Sequence, residues 1–307
     1  MATTLTVSSN YAGSAAGEII GKSFQEAKTI ANNWVTVAPD IDYQQSIRKI
    51  SYSNGRVDYS CGFTPAGAVT LSERTLVPKK IKNELEICKE DLRQIWSAAT
   101  MGFSAHNDSA PQDVEAALLN EILMDQAVAV DTDIWVGPAS TTGRFEGFVT
   151  KWDADAAVVK VGNGLTALAA DITKANVLSE LEKVTAAQPV ALRQAGRSVL
   201  MVSSNVFLAY MHLLGSSQIT NGLGGDELSL KYGKFELVEN AVLADNTIIM
   251  YDPKNLYFGT GLLADHNEVR IKDMDESELS GNIRYKTVYT GGVQYANSED
   301  IVWYVSN

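Results

Sequence analysis

The chain is poor in the residues from which catalytic and metal centres are built. It holds two cysteines, Cys61 and Cys88, and three histidines, His106, His212 and His266, in 307 residues. With no Cys-x-x-Cys spacing, a disulfide framework and a zinc ribbon are excluded. The histidines lie in three separate regions, whereas a catalytic or metal cluster needs such groups converged. Neither a Gly-x-Ser-x-Gly elbow nor a His-Glu-x-x-His pair occurs. No apolar run approaches the roughly 20 residues of a membrane span. Residues 1–7 lack the basic and apolar regions of a signal peptide, so the expected setting is the cytosol, with both thiols reduced. Basic charge is scarce as well. Lys and Arg number 25 against 37 Asp and Glu, a net charge of -12, which excludes a protein that grips nucleic acid along an extended basic surface.

Two weak motifs are set aside on spacing. The loop Asn221-Gly222-Leu223-Gly224-Gly225-Asp226 has glycines that could approach a phosphate, but it lacks the Lys-Ser/Thr of a Walker loop and the third glycine of a dinucleotide fingerprint. Asp273, Asp275 and Ser277 open like a calcium loop. However, Glu278 stands where the turn needs glycine, and Arg284 where a bidentate Glu should close the site. Looser calcium binding by Asp273, Asp275, Glu276 and Glu278, or a solvated acidic turn, remain as the two readings of that run. No cofactor, metal or catalytic residue is expected.

What is present is the mixture of a soluble globular protein, 45% hydrophobic and 20% charged, long enough for one large or two ordinary domains. Residues 2–17 carry no charge and too little apolar area to fold alone, and read either as an arm or as a mobile end. In Arg56–Phe63, Val57, Tyr59, Cys61 and Phe63 alternate with polar residues, which predicts a strand. A second extended run places Ile81, Leu85 and Ile87 on one face and Lys80, Lys82, Glu84 and Glu86 on the other. The two runs are expected to pair as a long hairpin, on which Cys61 and Cys88 could approach one another. Its outward face would carry Arg74, Lys79, Lys80 and Lys82 against Glu73, Glu84 and Glu86.

Further along, a short helix over Lys89–Ala99 precedes a long one over Gln112–Ile134, with Asp108 or Ser109 as N-cap. Its apolar residues Val114, Leu118, Leu119, Ile122, Leu123, Ala129 and Val130 recur at spacings of three and four. Gly137-Pro138 stops it, and residues 139–147 read as a boundary. Beyond lie a helix over Asn176–Ala187, a buried strand at Ser198–Val202, a helix over Asn205–Leu214 and strands from Phe235 onward. The last fifty residues predict a β meander: Asn255–Gly259, Glu268–Lys272, Asn282–Tyr289 and Asp300–Val305, divided by turn residues that include Gly281 and Gly291-Gly292.

This ending resembles the C-terminal part of the major capsid proteins of tailed phages, the fold named after phage Hong Kong 97. Leu256-Tyr257-Phe258-Gly259 matches a strand that leads, through an acidic turn, to the closing Glu299-Asp300-Ile301-Val302. Gly233–Asn240 and Asn246–Tyr251 resemble the strand, loop and strand upstream, and the order of these segments carries the likeness. The resemblance implies an α+β fold with an N-terminal arm (1–48), an extended hairpin loop (49–90), a peripheral domain with a spine helix (91–138 and 256–307) and an axial domain (139–255). Arg74, Lys79, Lys80, Lys82, Glu84 and Glu86 would be intersubunit contacts on the hairpin, and Gly222, Gly224 and Gly225 would form a tip facing the centre of a ring.

It further implies a chain that self-assembles through hexamers and pentamers into an icosahedral shell in the host cytoplasm. The shell would enclose double-stranded DNA without sequence-specific binding. Portal and scaffolding proteins would be its partners, the scaffold as a separate chain, and no membrane would be involved. Lys79 and Lys80 are candidate donors of Lys–Asn bonds, with no identifiable Asn partner. The alternatives are an encapsulin-like compartment of the same fold holding protein cargo, and a soluble two-domain enzyme.

Overall fold

One strand organises the first of the two larger sheets among the described residues. In the computed structural model, which describes residues 28–53, 55–59, 61–62, 66–89, 112–162, 168–216, 231–274, 278 and 280–305, Asn282–Tyr295 (β12) runs unbroken, a length of about 45 Å at the usual rise per residue. Its odd-numbered residues Ile283, Tyr285, Thr287, Tyr289, Val293 and Tyr295 are buried, and Lys286 opposite them is exposed. Lys79–Cys88 (β4) pairs antiparallel with it from Lys79 opposite Gly291 to Cys88 opposite Asn282. Val269–Asp273 (β11) pairs antiparallel with Ile283–Thr287. Leu256–Gly259 (β10) pairs antiparallel with Gly292–Tyr295 and carries Thr36–Ala38 (β1) in parallel at the edge.

The expected faces of β4 hold, with Ile81 and Ile87 buried and Lys80, Lys82, Glu84 and Glu86 facing away. Its expected partner does not. Residues 55–59 are irregular, and the hairpin is made instead by Gln45–Tyr52 (β2) with Val69–Leu76 (β3). Alternation fixes which residues share a face but is silent about which strand lies alongside. Cys61 is accordingly exposed near the hairpin's end, Cys88 ends β4 in the sheet, and both are free thiols. Gly291-Gly292 is not a turn either. A Cβ on Gly291 would lie 2.8 Å from the Phe145 ring, and one on Gly292 2.9 Å from the Val77 carbonyl. The pair marks a close approach inside a strand.

The second sheet is mixed, in the order Val159–Val161 (β5), Val302–Val305 (β13), Thr247–Tyr251 (β9), Val199–Val202 (β6), Phe235–Glu239 (β8) and Lys231–Tyr232 (β7). The closing strand β13 therefore leaves the meander expected of the last fifty residues and enters this sheet, between β5 and β9. All five residues of β9 are buried, as a central strand covered on both faces requires. Leu200, Val202, Ile248 and Met250 face Val177–Ala186 (α3) and Ser204–Ser216 (α5), while Met201, Ile249 and Tyr251 face the other way. Between them in sequence lies the short helix Val190–Ala195 (α4).

The opposite face of that sheet shares its core with the first. The helix Gln112–Val136 (α1) runs against β12 and β4. Leu118, Leu119 and Ile122 meet Ile87, Ile283 and Tyr285, and its far end brings Val130, Ile134 and Trp135 into the shared core. Ala129, expected on the apolar face, is exposed. Gly137 and Pro138 end the helix, and Phe148–Ala154 (α2) turns back against it. Trp135 is fully buried against Phe148, Trp152 and Tyr251, with ring centroids 5.6, 6.4 and 5.8 Å away. The short helix expected over Lys89–Ala99 lies, past Lys89, outside the described residues, as do residues 2–17, the caps Asp108 and Ser109 and the glycines of the 221–226 loop.

Trp135→Ala removes the side chain that four elements share. It is expected to destabilise the chain by about 3–5 kcal/mol, the range for a large aromatic truncated in a tight core, read as a lower midpoint in urea.

Candidate assembly surfaces

The projecting hairpin is the first surface. Cross-strand register puts Tyr52 with Val69, Ile50 with Leu71 and Arg48 with Glu73 on one face. The four apolar side chains there are 69%, 59%, 69% and 75% exposed in that order. Beyond them, Tyr59 near the end of the hairpin is 95% exposed. A hairpin with no third strand is marginal in water, and contiguous exposed apolar groups of this size mark an interaction site. Sequence reasoning passed over this face, although its signal was present: Arg48, Ile50 and Tyr52 alternate with Lys49 and Ser51, and Val69 and Leu71 with Thr70 and Ser72.

Most of the charged candidates are engaged within the chain. Lys79 Nζ donates to the carbonyls of Thr141 and Arg144, at 3.0 and 2.7 Å. Lys82 bonds Glu84 at 2.6 Å, and Glu84 also meets Lys286 at 3.3 Å. The Lys82 ammonium, then that of Lys286, hold the Glu84 carboxyl below its ordinary range. Glu86 accepts from Asn282 and pairs with Arg284, whose guanidinium forks onto Glu278 at 3.0 Å twice. These form a cross-strand ladder on the outer face of β4 and β12. Lys80 lines a cleft of about 600 Å³ together with Asp40, Asp42, Asp265 and Tyr289. Arg74 turns toward the body, where it meets Asp155 at 2.8 Å. Gly222, Gly224 and Gly225 lie outside the described residues.

The root of the N-terminal segment is the second surface. Trp34, Val35 and Ile41 are buried, so part of the expected arm is docked on the body. The Thr29 amide donates to Asp131 Oδ1 at 3.3 Å, and the Trp135 indole N–H donates to Thr29 Oγ1 at 2.7 Å. Burial pushes the Asp131 carboxyl above its ordinary range, against the Thr29 hydrogen bonds that favour its charged form.

The two described histidines stand apart from one another. His212 is exposed on α5, while His266 bonds Thr260 at 3.0 Å and packs on Tyr289. His106 lies outside the described residues. Among the described residues, no three His, Cys, Asp or Glu side chains converge as metal ligands would. Of the acidic run read for calcium, Asp273 pairs with Lys89 and Glu278 with Arg284; Asp275 and Glu276 lie outside the described residues. Among the described residues, no helix is long and apolar enough to cross a membrane.

No protein-family model and no curated protein sequence matches the chain. Solved structures do. The capsid of a native GTA particle superposes with a TM-score of 0.63 at 14% identity, over 95% of this chain and 94% of that one. The capsid of Myoviridae phage XM1 gives 0.59 at 12%, over 94% of each. A structure from Mycobacterium phage Che8 gives 0.54 at 11%, over 97% and 98%. The chain has the Hong Kong 97-like capsid fold. At such identities the likeness lies in the path of the chain, and within the capsid fold the arm root and the exposed hairpin face are features read from this chain's own residues.

Asp131→Asn keeps an acceptor for Thr29 and removes a buried charge. Because the folded state raises this carboxyl's pKa, its ionised form opposes folding. The variant should therefore melt at or above the wild-type temperature at neutral pH. That margin should vanish as the pH falls through the range where wild-type Asp131 takes up its proton, as thermal melts across pH would record.

Proposed function

We propose that this chain is a major capsid protein that assembles, through hexamers and pentamers, into an icosahedral shell around a double-stranded DNA genome. The observation that carries the reading is the bare apolar face of Ile50, Tyr52, Val69 and Leu71 on a hairpin projecting from a capsid-fold body. Covering one such side chain is worth about 1.5–3 kcal/mol, against roughly 0–1 kcal/mol for an exposed ion pair. The apolar face, and not the charge ladder, is the main source of docking energy. A neighbouring copy is its partner, because identical subunits in a closed shell present the same complementary surfaces to one another.

In this reading residues 45–76 form the extended loop. The sheet around β12 with α1 is the peripheral domain, and the sheet around β9 with α3 and α5 is the axial domain, to which β13 returns. The intersubunit roles of Arg74, Lys79, Lys80, Lys82, Glu84 and Glu86 are proposed as secondary, since Arg74, Lys82, Glu84 and Glu86 are already in ion pairs within the chain and Lys79 is bonded to two of its carbonyls. Gly222, Gly224 and Gly225 are proposed at the ring centre. The net charge of -12 suits a wall that repels the DNA it encloses. A portal and a separate scaffolding chain complete the proposed partners, and assembly takes place in the host cytoplasm. The role is structural, not enzymatic.

Electron microscopy of the purified full chain tests this. Closed shells or regular rings are expected from the wild type. Ile50→Ser with Leu71→Ser should abolish them while the subunit's melting temperature stays within a few degrees, since exposed positions rarely change stability by more than about 0.5 kcal/mol. A wild type that remains a monomer or dimer across salt, crowding and protein concentration would overturn the reading.

A further inference from the structure

Among the described residues the hairpin pairs with no other strand, so no sheet hydrogen bonds there set the direction in which it leaves the body. Something else must. Its root alternates inward at Leu76, which is buried, and at Arg74, two residues up on the same face. The Arg74 guanidinium is held in two planes at once. Edge-on, Nη2 meets Asp155 Oδ2 at 2.8 Å; face-on, the guanidinium carbon lies 4.3 Å above the centroid of the Tyr295 ring.

Both partners are themselves fixed. Tyr295 donates its hydroxyl to the same Asp155 oxygen at 2.8 Å, and Asp155 Oδ1 accepts the Ala157 amide at 2.9 Å while its own amide caps α2. Beside them, the Gln294 side chain donates to the Thr75 carbonyl at 2.9 Å. Burial pushes Asp155 up, but the Ala157 amide, Arg74 and Tyr295 together outweigh it and hold the carboxyl below its ordinary range, so it is ionised at neutral pH. A planar fork gripped by a carboxylate and a ring constrains angle as well as distance, which a lysine ammonium does not.

We propose that Arg74, Asp155 and Tyr295 form a clasp that sets the projection angle of the hairpin, making Arg74 a positioning residue for assembly. This rests on the capsid reading above. The lever is long enough to matter. From Arg74 to Val69 the strand covers about 16 Å, so a swing of about 10° at the root moves the apolar face by about 3 Å. That is comparable with the roughly 4 Å limit for apolar contact. An unclasped hairpin would search for its neighbour instead of meeting it.

The test uses the full chain as unassembled subunits. With Cys88→Ser, one nitroxide sits on the native, exposed Cys61 and a second on Lys174→Cys, an exposed body position. Pulsed electron resonance then gives the distribution of distances between them. The clasped background should give a narrow distribution. Arg74→Ala and Asp155→Asn should each widen it at least twofold, and Arg74→Lys should fall between, with thermal melts unchanged to within a few degrees. Equal widths in all four proteins would overturn the clasp.

Micrographs of unlabelled Arg74→Ala form the second arm, with irregular or open particles expected in place of uniform shells. Shells indistinguishable from wild type would overturn the positioning role. If wild type itself never assembles, the capsid reading fails, while the distance widths still decide whether the clasp exists.

Discussion

The fold depends on one aromatic junction. Trp135, at the end of the spine helix, touches Phe148 and Trp152 of the returning helix and Tyr251 of the second sheet, and its indole N–H holds Thr29 of the N-terminal segment. Aromatic side chains bury more area than any other and prefer the tilted and edge-on geometries seen here. Among the described residues the two larger sheets share no strand, so the shared core around Trp135, with Phe258, Tyr289 and Trp303, joins them. Remove it, and each sheet loses the cover on one face.

From that junction the rest follows as a division of labour between charge and apolar area. The long strand β12 buries its odd residues and displays its even ones, and the display is satisfied locally by Glu84, Glu86 and Glu278. Balanced charges of this kind keep a surface soluble and set which approaches are tolerated, but contribute little binding energy. The hairpin does the reverse. It leaves Ile50, Tyr52, Val69 and Leu71 in water at its outer half and turns the one cation of β3, Arg74, onto its own root.

Much of this was legible in the residues. The three-and-four spacing from Leu118 to Val130 marked the spine helix, Gly137-Pro138 its end, and the alternation of Ile81, Leu85 and Ile87 the inward face of β4. The apolar run Val199–Val202 announced the buried strand expected at Ser198–Val202. The resemblance near the C-terminus pointed to the capsid fold, which the superposed solved structures bear out. The failures share one cause. Val57, Tyr59 and Cys61 alternate as a strand does, yet among the described residues no strand pairs with them, and a strand exists only through its partner. Gly291-Gly292 reads as a turn locally, but the Phe145 ring and the Val77 carbonyl need that space.

The sequence by itself determined the spine helix, the buried strand at Ser198–Val202 and the faces of β4, because periodicity is a property of the chain alone. It also determined the absence of a recognisable catalytic motif and the acidic balance. The tertiary structure alone decided which strands lie side by side, that β13 closes the second sheet, and that the hairpin is β2 with β3. It likewise turned Arg74 from an outward charge into an inward clasp. Those are matters of register and proximity between residues far apart in the chain, such as Arg74 and Tyr295, and no local pattern of residues encodes them.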